Sequence, residues 1–115
     1  MRKPWRLTRG AEASLAEIAA WTIETFGPRQ AATYKEDLIS ACNEIAAGSA
    51  ISYDCRRLVD DAMEENLRFV RAGQHFVVYL DQKKQIIVID FLHARSDLPR
   101  RLAELSARKP QGQSK

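Results

Sequence analysis

Cysteine is scarce in this chain. Cys42 and Cys55 are the only two among 115 residues, and they stand apart. That usage excludes a disulfide scaffold, offers no zinc-ligand spacing, and matches a reducing cytoplasm. Long apolar runs are missing too. No stretch approaches the roughly 18 apolar residues that cross a bilayer. The basic start, "MRKPWRLTR", is followed by no apolar signal core, so the chain reads as cytoplasmic, neither exported nor membrane-bound. Acid is absent from the first stretch: Arg2, Lys3, Arg6 and Arg9 all precede Glu12. At the other end Arg95, Arg100, Arg101, Arg108, Lys109 and Lys115 outnumber Asp97 and Glu104. The net charge of +3 thus hides two basic ends around an acidic middle. Basic ends suit an acidic partner, protein or nucleic acid; they suit solvated termini equally well.

What is present is strongly patterned. The length suits one domain with a real core, expected over 1–108, with a flexible polar tail at 109–115. "PWRLT" alternates as a short strand, Trp5 and Leu7 inward and Arg6 outward. From Gly10 the period becomes helical, with Leu15, Ile18, Ala19, Thr22, Ile23 and Phe26 on one face. Gly27 suits the cap of that helix, and Pro28 the first turn of the next. The second helix, 28–47, carries Ala31, Tyr34, Leu38, Ala41, Cys42 and Ile45 on one stripe. So short a connection folds the two helices into an antiparallel hairpin. After a polar passage with a possible turn in "RRLVDDAM", the runs 67–71, 74–80 and 85–92 are β-branched and aromatic. Turns are expected at Ala72–Gly73 and at 81–84, and a short helix from Pro99. The fold class is α+β, in the order β-α-α-β-β-β: a helical hairpin packed on an antiparallel sheet, then a short C-terminal helix.

Along the middle strand, Phe76, Val78 and Leu80 share one face, and His75, Val77 and Tyr79 the other. The second face is too apolar for plain solvent exposure. It is either a partner surface centred on Val77 and Tyr79 or a face covered by the C-terminal segment. Trp21 lies beside the helical stripe, where it packs at the core edge or anchors a partner. Met63 has the same two readings, with the core edge the commoner.

The last strand runs straight into "HARSDLPRR". His93, Arg95 and Asp97 would share one side if the strand continued. Ser96 is adjacent, but no oxyanion-hole signature accompanies it, so a Ser-His-Asp hydrolase is not supported. Asp97 suits the cap of the following helix, with Pro99 in its first turn, and Arg95 could pair with Asp97 or Asp90. Ribonuclease chemistry would need a proton carrier and cations against the phosphate. His93, Arg68, Arg71 and Arg95 could supply these, but the parts are few, and the middle strand presents Gln74, His75 and Tyr79 rather than a basic ladder.

In combination, "LAEIAAWT", "FGP", "GQHFVVY" and "FLHARSDLPRRL" resemble the ParE toxins of the ParE/RelE toxin–antitoxin superfamily, over about Trp5 to Leu102. Ala94 stands where many relatives carry Gly. The resemblance implies a toxin without catalysis that inhibits DNA gyrase and is neutralised by a ParD-like antitoxin. It implies no cofactor, no metal and no sequence-specific nucleic-acid binding. The toxic surface would be His93, Arg95, Asp97, Arg100 and Arg101. Trp21, Val77 and Tyr79 would receive the antitoxin. Two alternatives within the superfamily are a ribosome-dependent messenger RNA endoribonuclease of the RelE type and a degenerate, non-toxic antitoxin-binding relative.

Overall fold

A computed structural model describes residues 2–55 and 66–108. The possible turn in "RRLVDDAM", Met63 and the tail 109–115 lie outside them. The elements are β1 (Trp5–Leu7), α1 (Arg9–Phe26), α2 (Pro28–Ala47), β2 (Tyr53–Asp54), β3 (Leu67–Ala72), β4 (His75–Asp81), β5 (Ile86–His93) and α3 (Leu98–Arg108). Among the described residues the sheet has five strands, in the order β1-β5-β4-β3-β2.

The expected sequence of elements is present, with one strand added and one pairing changed. β2 is a two-residue edge strand that pairs with Arg68 and Phe69. β1 lies parallel to β5, with Trp5 opposite Ile86 and Leu7 opposite Val88, so the sheet is mixed. A parallel neighbour needs a long crossover, and the whole of α1, α2, β3 and β4 lies between these two strands.

Local chemistry explains the helical hairpin. Thr8 accepts a hydrogen bond from the Ala11 N–H through Oγ1 at 3.1 Å and caps α1. Gly27 sits at φ 95°, outside the range a side chain tolerates well, and donates its N–H to the Ile23 carbonyl. It ends α1 and starts α2 within one residue, with Pro28 next in a position that needs no N–H. The α2 stripe is buried as expected, through Ala31, Leu38, Ala41, Cys42 and Ile45. In α1 only the first part of the expected face is covered. Leu15 and Thr22 are buried, but Ile23 and Phe26 stay exposed.

Both faces of the sheet are covered. The hairpin packs Leu15, Leu38, Cys42 and Ile45 against Val77, Tyr79, Val88 and Phe91. α3 presses Leu102 and Leu105 onto the opposite face, against Leu67, Val78, Ile87 and Leu92. This corrects the expectation of an open face at Val77 and Tyr79. Both are core residues, at 0% and 4% exposure, because the hairpin rather than a partner lies on them. The C-terminal helix takes the other face.

One irregularity sets the geometry of everything beyond it. Tyr79 pairs with Val88, but Val78 pairs with Asp90, so Ile89 is an extra residue in β5. The bulge lets Ile86, Val88 and Phe91 all reach the hairpin core, which strict alternation would forbid. Asp90 is the residue it re-aims. Its buried carboxylate accepts hydrogen bonds from Ser14 Oγ of α1 at 2.6 Å and from the Phe91 N–H at 2.7 Å. A buried charge needs such partners, and here they tie the bulge to α1.

The β3–β4 turn is equally constrained. Gly73 has φ 61°, and a Cβ there would lie 2.8 Å from Tyr34 Cε1. Gly73→Ala should therefore lower stability by about 1–3 kcal/mol. Urea denaturation is the check; an unchanged midpoint would mean that the Tyr34 ring yields freely.

Candidate functional site

At one end of the sheet, two grooves flank the rings of Trp21, His75 and His93. The larger, of about 570 Å³, lies between the end of α1, the first half of α2, the β3–β4 turn and the end of β5. Its walls include Phe26, Tyr34, Asp37, Gln74 and Arg95. The smaller, of about 340 Å³, continues past Trp21 to Ser14, Glu17, Ser96 and Arg101.

Each wall has a local cause. Trp21 is 54% and Phe26 59% exposed, and they meet edge to face with ring centroids 5.8 Å apart. Of the two readings of Trp21, the structure places it on the surface. His75 and His93 are directly opposed across β4 and β5, with ring centroids 5.1 Å apart. His75 is 7% exposed. Its Nδ1 lies 2.6 Å from the hydroxyl of Tyr34, which accepts the Gln74 N–H at 3.0 Å. Burial, with a smaller contribution from His93, pushes the pKa of His75 down to about 4, so the ring is neutral at pH 7. Burial likewise raises the pKa of Tyr34, which keeps its proton.

His93 is exposed, and its strand does not continue. Ser96 donates its N–H to the His93 carbonyl at 3.0 Å and its hydroxyl to the same oxygen at 2.6 Å, which closes a turn. The Arg95 N–H donates to His93 Nδ1 at 3.0 Å. The turn breaks the common side expected of His93, Arg95 and Asp97. Asp97 instead caps α3: its carbonyl accepts the Arg101 N–H at 2.9 Å, and its carboxylate accepts the Arg100 N–H at 3.4 Å. Arg100 and Arg101 both reach Glu104, at 3.4 and 3.6 Å on an exposed face. Arg95 forms no ion pair among the described residues and lines the larger groove.

The structure thus joins residues that the sequence suggested for separate surfaces. Trp21, His93 and Arg95 line one groove, and Arg101 lines its neighbour. Asp97 and Arg100 line neither, and Val77 and Tyr79 are under the hairpin. Sequence reasoning missed Tyr34, His75 and Phe26 as groove residues. Tyr34 and Phe26 were signalled only as members of apolar stripes, and His75 gained its meaning from its partner across the sheet.

The family model described as "ParE toxin of type II toxin-antitoxin system, parDE" matches residues 5–98. The chain belongs to the ParE toxin family. One similar solved structure is titled "Chromosomal ParDE TA system from P. aeruginosa". It shares 14% identity and a TM-score of 0.63, over 82% of this chain and 98% of that one. At that identity the likeness is one of fold. Among curated proteins no match was found. No helix among the described residues of this ParE family member is long and apolar enough to cross a membrane.

Proposed function

We propose that this chain is the toxin of a type II toxin–antitoxin pair. On this reading it acts in the bacterial cytoplasm by binding DNA gyrase, without catalysis of its own, and a ParD-like antitoxin neutralises it. The family match over residues 5–98 carries the reading. The grooves support it in a specific way. An antitoxin segment anchored on exposed Trp21 would also cover His93 and Arg95, so that one contact both holds and masks the toxin. The chemistry of the larger groove agrees. Among the described residues its only Lys or Arg is Arg95, Asp37 is an anion in its wall, and His75 is uncharged at neutral pH, so the groove offers little positive charge against the phosphorane that RNA cleavage forms.

Expression of the chain alone should arrest growth, block supercoiling by gyrase and induce the DNA-damage response, with messenger RNA left intact. Arg95→Ala should reduce toxicity more than His93→Gln, which keeps a planar polar side chain but cannot carry a proton. Codon-positioned cuts in ribosome-bound messenger RNA, abolished by His93→Gln, would replace this reading with the RelE-type ribonuclease. General acid–base catalysis is worth roughly 10²–10⁴-fold, so the loss would be unmistakable. Normal growth at verified soluble expression would leave the non-toxic, antitoxin-binding relative.

A further inference from the structure

Hydrogen bonds fix the imidazoles at the junction of the two grooves. His93 Nδ1 accepts the Arg95 N–H, so in the neutral ring the proton is on Nε2. For His75 the decision rests with Tyr34. Its hydroxyl oxygen already accepts from the Gln74 N–H, and its own proton can go to His75 Nδ1 at 2.6 Å or to the Ala72 carbonyl at 3.4 Å. The shorter contact is the better bond. His75 then also carries its proton on Nε2. That nitrogen is the remaining polar atom of a ring more than nine-tenths buried and lining both grooves, and it has no hydrogen-bond partner among the described residues. Arg95, free of any ion pair among them, lines the larger groove together with both rings.

We infer that His75, His93 and Arg95 form a carboxylate-binding subsite, built to receive an Asp or Glu side chain from an apolar protein segment seated on Trp21 and Phe26. Three donor-bearing side chains line the one groove, so the group they would receive is an acceptor and an anion. The aromatic wall selects an apolar neighbour for it. A nucleic-acid backbone is disfavoured, since among the described residues the larger groove has one Lys or Arg and Asp37 would repel a second phosphate. This inference rests on the reading of the chain as a protein-binding toxin and names the chemistry by which that partner is recognised.

Two measurements test it. Long-range proton–nitrogen spectra, recorded at a pH where both rings are neutral, should show both imidazoles protonated on Nε2 alone, and Tyr34→Phe should release the preference of His75 while leaving that of His93. Titration with N-acetyl-Leu-Glu-Leu amide should then move both Nε2 resonances and the Arg95 guanidinium. It should bind about 10-fold or more tighter than the peptide with glutamine in place of glutamate. Arg95→Ala, at an exposed turn and with its melting temperature checked, should erase that difference. An Nδ1-protonated His75, equal affinity for the two peptides, or tighter binding of inorganic phosphate with competition by an RNA oligonucleotide would each overturn the subsite. The titration judges this inference and growth arrest judges the toxin reading, so either can fail alone.

Discussion

Val77→Asp should leave little folded protein, whereas Trp21→Ala should leave the fold intact. Val77 is fully buried between the hairpin and the sheet, in contact with the cluster that includes Leu38, Cys42 and Val88. A carboxylate there loses its water and finds no partner. The charged form is costly by several kcal/mol, and even the neutral acid is a poor replacement for packed methyl groups. A domain stable by about 5–15 kcal/mol loses most of its margin. Trp21 is more than half exposed, and its truncation should move stability by about 0.5 kcal/mol or less. Its cost should fall on binding to a protein partner, where large exposed aromatic residues concentrate the energy. Soluble yield and thermal melting by circular dichroism measure the first effect, and complex formation the second. A Val77→Asp variant that melts with the parent and loses only its partner would restore Val77 to the docking surface.

The contrast between Val77 and Trp21 shows where the sequence was legible. Helix 28–47 and its buried stripe follow from periodicity, a glycine and a proline, all local signals. Alternation along β4 assigned its two faces correctly, but it could not say which cover each face would receive. That depends on α3 and the hairpin choosing sides, a decision made by contacts distant in sequence. The site was less legible for a sharper reason. In the register of Asp81 with Ile86 and Leu80 with Ile87, His75 would fall opposite Leu92. The extra residue at Ile89 moves His93 into that place instead. Asp90, the one charge inside an apolar strand, was the visible trace of the bulge. Only its bond to Ser14, 76 positions away, shows what it does.

The buried imidazole gives the fold a measurable weakness in acid. In the unfolded chain His75 takes up a proton as pH falls through about 6.5, but in the fold only near 4. Between those values the unfolded state binds more protons, so stability rises with pH and is lost as pH falls. The contribution is complete above about pH 6.5, and at pH 5 about 2 kcal/mol of it is gone. That pH lies above the ordinary carboxylate range, so few other groups obscure the change. His75→Gln retains a side chain that can hydrogen-bond with Tyr34 but does not titrate. It should be less stable than the parent at pH 7.5, because the ring that packs against Tyr34 and His93 is lost. Between pH 7.5 and pH 5, however, the variant should lose about 2 kcal/mol less than the parent does. Urea denaturation of both proteins at the two pH values supplies the comparison. Parallel losses in parent and variant would mean that water reaches His75 in the folded state, and the neutral donor that the grooves share would go with it.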